Sequence, residues 1–163
     1  MRRLKFIADG MLGKTTRWLR MLGQDIKYSR SLNDKQLIET AKLEGRILLT
    51  RDLQLFQGAA TQGVECFFVE GANEAEKLAG LAKRFNLKLE VDVSVSRCPK
   101  CNAEIRPIPK EEVTGRVPKT TFSYYEEFWE CPSCKQIYWQ GAHWKRINET
   151  LKEAKQMLEL DKT

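Results

Sequence analysis

The chain has 163 residues, 42% of them apolar and 31% charged, with a net charge of +6. That suffices for one ordinary domain plus a small appended one, and the mixed composition excludes a low-complexity chain. No stretch is both long and apolar enough to span a membrane. The opening MRRLKFIADGML is broken by Asp9 and Gly10, with no small-residue cleavage site after it, so it reads as a first strand and the expected location is the cytoplasm.

Leu4 to Ala8 reads as a buried strand and Met11 to Leu22 as a helix that Gly23 ends. Asp25 to Tyr28 is a candidate short strand. Asn33 can cap a helix over Asp34 to Glu44, with Gln36 placed for a capping box and Gly45 as the stop. Arg46 to Thr50 holds the buried run Ile47-Leu48-Leu49, and Cys66 to Val69 is another strand, its Cys66 read as a buried thiol. Asn73 can cap a helix reaching Phe85, with Glu74 and Glu76 in the first turn, where the helix dipole favours them. Strands alternating with helices imply an α/β fold: a parallel sheet flanked by helices. Val91, Val93 and Val95 alternate with Asp92 and Ser94, which fits either a last strand or an exit segment. From Arg97 to about Trp144 the composition shifts to prolines, paired cysteines and aromatics. A closing helix follows, with Ile147, Leu151, Ala154 and Leu158 at helical spacing and an apolar stripe suited to the first domain. The expected division is 1–92, 97–144 and a C-terminal helix over 145–163.

Cys98-Pro99-Lys100-Cys101 and Cys131-Pro132-Ser133-Cys134 are two turns of one form. Two residues between cysteines let a tight turn aim both sulfurs at one ion, and two such turns complete the tetrahedral sulfur set that zinc favours. The 29 residues between the pairs leave room for a hairpin or an insertion. Shared ligation fits the symmetry of the pairs better than a redox dithiol does. Four protein ligands leave no open position, so this zinc is structural and Cys98, Cys101, Cys131 and Cys134 are its expected ligands.

Asp9 directly follows the first strand, and Asp52 follows the strand ending at Thr50, after Arg51. In parallel α/β sheets the ligand crevice lies outside the carboxyl ends of the strands. Asp34, at a helix start, can bring a third carboxylate to the same edge. Clustered carboxylates repel one another, and a hard divalent cation such as Mg2+ or Mn2+ relieves that repulsion. Ions so held polarise a phosphodiester and activate water for in-line attack.

Several segments together resemble a known family. Phe6-Ile7-Ala8-Asp9, Met11-Leu12-Gly13-Lys14, Arg17-Trp18-Leu19-Arg20-Met21-Leu22-Gly23 and Glu44-Gly45-Arg46-Ile47-Leu48-Leu49-Thr50-Arg51-Asp52 are similar to PIN-like RNases of the Mut-seven C-terminal type. So are Arg97-Cys98-Pro99-Lys100-Cys101-Asn102 and Cys131-Pro132-Ser133-Cys134 with Ile137-Tyr138-Trp139 after them. The resemblance covers nearly the whole chain. It implies a PIN-like fold with a C-terminal zinc ribbon, metal-dependent RNA cleavage, and Asp9, Asp34 and Asp52 as the acidic catalytic set. Thr15-Thr16 departs from the small apolar residues expected after Lys14, which leaves open how the first helix meets its partner.

Up to Arg51 the chain holds twelve Lys or Arg against five Asp or Glu, so the excess charge lies in that segment and suits a polyanion such as RNA. Lys14, Arg17 and Arg20 share one face of the first helix, opposite Trp18, Leu19 and Leu22, and Arg51 adjoins Asp52. These four are the expected RNA-binding residues. Lys110, Arg116, Lys119, Tyr124 and Tyr125 make the inter-knuckle loop a further candidate. His143 is the only histidine, and metal-free RNA cleavage needs a pair of acid–base groups, so the metal mechanism is preferred. The expectation is a metal-dependent endoribonuclease with structural Zn2+ and catalytic Mg2+ or Mn2+. The alternative is a non-catalytic RNA-binding or ribosome-associated zinc-ribbon factor.

Overall fold

Four short parallel strands organise the first half of the chain in the computed structural model, which describes residues 3–161. They alternate with helices in the order β1 (Lys5–Ala8), α1 (Gly13–Met21), β2 (Asp25–Tyr28), α2 (Asp34–Glu44), β3 (Ile47–Thr50), α3 (Leu53–Thr61), β4 (Cys66–Phe68) and α4 (Glu74–Phe85). The sheet order is β2-β1-β3-β4, with Ala8 in register with Leu49 and with Tyr28.

Side chains leave a strand on alternate faces, and both faces are covered, which explains why β1, β3 and β4 are apolar at nearly every position. Phe6 and Ala8 pack with Trp18, Leu19 and Leu22 of the α1 side and with Leu78, Leu81 and Ala82 of α4. Ile7 and Leu48 point the other way, against Leu37, Ile38 and Ala41 of α2 and Leu55 and Ala59 of α3.

The helix boundaries follow the capping chemistry. Asn33 and Gln36 form the reciprocal capping box, and Gly45 ends α2 in the left-handed region at φ 65°. Asn73 caps α4 through the Glu76 N–H. The first helix starts later than its apolar pattern suggests. Gly10–Leu12 form a 3-10 turn, and α1 proper begins at Gly13, where a Cβ would lie only 2.8 Å from the Tyr28 hydroxyl. Thr15 answers how α1 meets its partner: its hydroxyl donates to Glu74 of α4 at 2.8 Å.

Val91 to Val95 is an exit segment. Asp92 draws the Ser94 N–H and hydroxyl onto its carboxylate, and its carbonyl accepts from Val95 and Ser96, so the backbone turns instead of pairing. Beyond it, β5 (Arg106–Ile108), α5 (Lys119–Tyr124), β6 (Phe128–Glu130) and β7 (Ile137–Tyr138) build a small antiparallel sheet in the order β5-β6-β7. Val113, Phe128 and Ile137 form its core. The final helix, α6 (Trp144–Leu160), returns to α4 and buries Leu151 and Ala154 in the first domain's core, with Ile147 and Leu158 packed against it.

The two sheets are fastened at β2. Arg20 is 6% exposed; its Nε and Nη2 donate to the Ile26 carbonyl at 3.1 and 2.9 Å, and its Nη1 to the Pro99 carbonyl at 2.9 Å. Asn102 accepts from the Ile26 N–H at 3.2 Å and donates to Asp25 at 2.8 Å, while Arg46 donates to the same carboxylate at 2.9 Å. Burial pushes the Asp25 carboxyl up, but the hydrogen bonds from Arg46 and Asn102 outweigh it and hold it below its usual value.

Candidate functional site

The chain leaves β1 toward β2 on one side of the sheet, then crosses back past β1 to reach β3. That reversal opens a crevice at the carboxyl ends of β1 and β3, the place where open α/β sheets take ligands. Asp9 and Asp52 follow those two strands.

Asp9 is 5% exposed, and both its oxygens are engaged. Oδ1 accepts from the Met11 N–H at 2.8 Å, which pins the 3-10 turn to the strand end. Oδ2 accepts from the Thr50 hydroxyl and from the Arg51 N–H, the latter at 3.3 Å. The same Thr50 hydroxyl accepts from the Asp52 N–H at 2.9 Å. Thr50 therefore ties the two aspartates to one atom. In the sequence Thr50 stands only as the last residue of a buried strand. Its one sequence signal is a hydroxyl where the neighbouring strand residues are aliphatic.

Asp52 caps α3, with Oδ1 accepting from the Gln54 and Leu55 N–H groups at 2.9 and 3.3 Å. Its Oδ2 has no hydrogen-bond partner among the described residues and remains free to meet a cation. Asp34 is exposed at the first position of α2, which leaves β2 at this same edge. It does not join Asp9 and Asp52 in a set of mutually close ligand atoms. Among the described residues, the one group of three or more His, Cys, Asp or Glu side chains with converging ligand atoms is the cysteine set. Oxygen donors for a hard cation are thus present at Asp9 and Asp52, linked through Thr50, without a converged set of three carboxylates.

The four basic residues singled out in the sequence fare differently. Lys14 and Arg17 are exposed and have no hydrogen-bond or ion-pair partner among the described residues. Arg51 turns away, its Nη1 donating to the carbonyls of Val69 and Gly71 at 3.0 and 3.2 Å. Arg20 is the buried fastener between α1, β2 and the first knuckle. Cys66 is half-buried, with Sγ 3.5 Å from the Phe56 carbonyl, and burial and then Glu65 push its thiol up, as suits an inert sulfur.

Cys98, Cys101, Cys131 and Cys134 have sulfurs all within 4.8 Å of one another, Cys98 3.7 Å from Cys134 and Cys101 3.3 Å from Cys131. A tetrahedral zinc with Zn–S bonds of about 2.3 Å needs sulfurs about 3.8 Å apart, so the set fits that ion. Each knuckle closes the same way. Asn102 N–H donates to the Cys98 carbonyl and Lys135 N–H to the Cys131 carbonyl, both from left-handed residues at φ 77° and 68°. The Tyr138 hydroxyl lies 2.9 Å from Cys98 Sγ and orients that ligand. Burial pushes the Cys131 thiol up to about 12, so a bound metal must displace that proton.

Fold and site together define an α/β protein whose polar centre lies at a sheet switch point and whose four-cysteine ribbon is fastened to the edge strand. The family model of the Mut7-C RNAse domain matches residues 4–151, and the chain belongs to that family. No curated protein and no solved structure gives a significant match to it. Among the described residues, no helix is long and apolar enough to cross a membrane.

Proposed function

We propose that the protein is a metal-dependent endoribonuclease acting in the cytoplasm, with its reaction centre at the carboxyl ends of β1 and β3. The observation that carries this reading is the Thr50 hydroxyl joining Asp9 and the Asp52 backbone at the switch point of a Mut7-C RNAse domain. Asp9 and Asp52, with Asp34 at the same edge, would hold Mg2+ or Mn2+, which supplies phosphodiester polarisation and an activated water. Thr50 and the Met11 N–H fix the Asp9 carboxylate, so a cation meets preorganised oxygens. The start of α3 holds one Asp52 oxygen and leaves the other outward. Lys14 and Arg17, unpaired on the helix that follows Asp9, would hold substrate phosphates. Cys98, Cys101, Cys131 and Cys134 would hold a structural Zn2+, kept available by reduced cytoplasmic thiols.

Cleavage of structured and single-stranded RNA is measured with Mg2+ or Mn2+ for wild type, Asp9→Asn and Asp52→Asn. The expected result is loss of cleavage in both variants, and equal cleavage by all three sinks the proposal. One observation favours a second reading, a non-catalytic RNA-binding or ribosome-associated factor: Asp9, Asp34 and Asp52 do not converge as one set of ligand atoms. Salt-dependent RNA binding without turnover in either metal would favour that factor.

A further inference from the structure

A cleft of about 530 Å³ opens between α1 and the first cysteine knuckle. Its walls carry Lys14, Arg17 and Arg20 from α1, Arg30 from the segment after β2, and Lys100 from between Cys98 and Cys101. No acidic side chain lines it, and none of the five cations has a carboxylate within ion-pair distance among the described residues. Elsewhere Arg46, Arg97, Arg106 and Arg116 are all paired with carboxylates. Arg20 is spent on backbone carbonyls. Lys14, Arg17, Arg30 and Lys100 are exposed, and the last two meet only neutral groups, the Tyr28 hydroxyl at 3.3 Å and the Gln136 amide at 3.5 Å.

Four uncompensated cations in one concave site repel one another, and a bound polyanion relieves that cost. Thr16 also lines this cleft, and its buried hydroxyl is the one buried side-chain polar atom without a partner among the described residues. A helical threonine has two accessible χ1 wells, so that donor can swing when an acceptor arrives. One wall residue of the cleft also reaches toward the acidic edge. Tyr28 lines it, and its hydroxyl donates to the carbonyl of Gly10, the residue after Asp9, at 2.9 Å.

We propose that this cleft carries the phosphate backbone of single-stranded RNA from the Asp9–Asp52 edge onto the zinc knuckle, with Arg30 and Lys100 as the distal contacts. The proposal rests on the ribonuclease reading above and extends it, giving the ribbon a direct part in substrate binding. A basic slot with one tyrosine in its wall suits a single strand, whereas a duplex presents two backbones to a broad face.

The test is fluorescence anisotropy with the zinc-loaded full chain carrying Asp9→Asn, using a labelled twelve-nucleotide RNA over a range of KCl concentrations. Arg30→Glu and Lys100→Glu are each expected to weaken binding about ten-fold and to lower the salt slope by about 0.7 per lost contact. Arg30→Gln and Lys100→Gln, expected to weaken it less, substitute if a charge reversal fails to fold. Unchanged affinity and slope in both variants, with tight binding by the parent, overturns the cleft while leaving the nuclease reading standing. Tighter binding of the matching duplex through the same two residues overturns the single-strand assignment. No binding by the parent at any salt, together with no cleavage by wild type, takes down both.

Discussion

Replacing Arg20 by alanine removes three hydrogen bonds at once, two on the Ile26 carbonyl and one on the Pro99 carbonyl. A hydrogen bond from a charged donor nets about 1.5–3 kcal/mol, and the buried stem adds about 1 kcal/mol of packing. The two donors on Ile26 share one acceptor, so their contributions do not simply add. The expected loss is about 4 kcal/mol, which lowers Tm by roughly 8–16 °C for a chain of this size. Differential scanning calorimetry of the zinc-loaded protein reads it. Arg20→Lys should recover less than half, because an ammonium cannot reach both carbonyls with a planar fork. A Tm drop under about 2 °C for Arg20→Ala would refute the fastening role. A lower RNA salt slope at unchanged Tm would make Arg20 a phosphate contact instead.

Thr50→Val keeps the side-chain shape but leaves Asp9 and the Asp52 N–H without their shared hydroxyl. RNA cleavage should fall about 10–100-fold with a modest loss of stability, and near-wild-type turnover would remove Thr50 from the site. Tyr138→Phe deletes the hydroxyl on Cys98 Sγ. Chelator competition should show zinc held about ten-fold more weakly, and an unchanged affinity would mean that this contact does not tune the ion.

Much of this architecture was written locally. The boundaries of α2 and α4 follow from Asn33, Gln36, Gly45 and Asn73, whose chemistry acts within four residues. The cysteine spacing foretold a ligand set because two short turns constrain their own sulfurs. What escaped was non-local or weakly patterned. The nine-residue α3 has Gly58 in its interior, and the capping role of Asp52 is hidden behind its place as a strand-end acid of the candidate site. The valines of Val91–Val95 alternate like a strand, yet Asp92 bonds its own neighbours more cheaply than a sheet could pair them. At the candidate site, Asp9 and Asp52 were legible because each follows an apolar run. The part of Thr50 was not, because it depends on β1 and β3 being neighbours. Arg20 was placed with Lys14 and Arg17 by helical spacing, and no local rule says that a carbonyl of residue 99 waits for it. The basic cleft has the same origin: Arg30 and Lys100 lie far apart in sequence, and only the fastening of the knuckle to β2 brings them to one wall.

That fastening has a bearing on solubility. β2 lies at the edge of the parallel sheet, and a bare edge is a template for pairing with another chain. The Ile26 N–H and carbonyl are occupied by Asn102 and Arg20, and Asn102 is held in place by its own N–H bond to the Cys98 carbonyl. The ribbon thus works as a stopper on the sheet. If the four cysteines hold zinc as proposed, loss of the ion would loosen that stopper, and the unsealed edge would favour self-association.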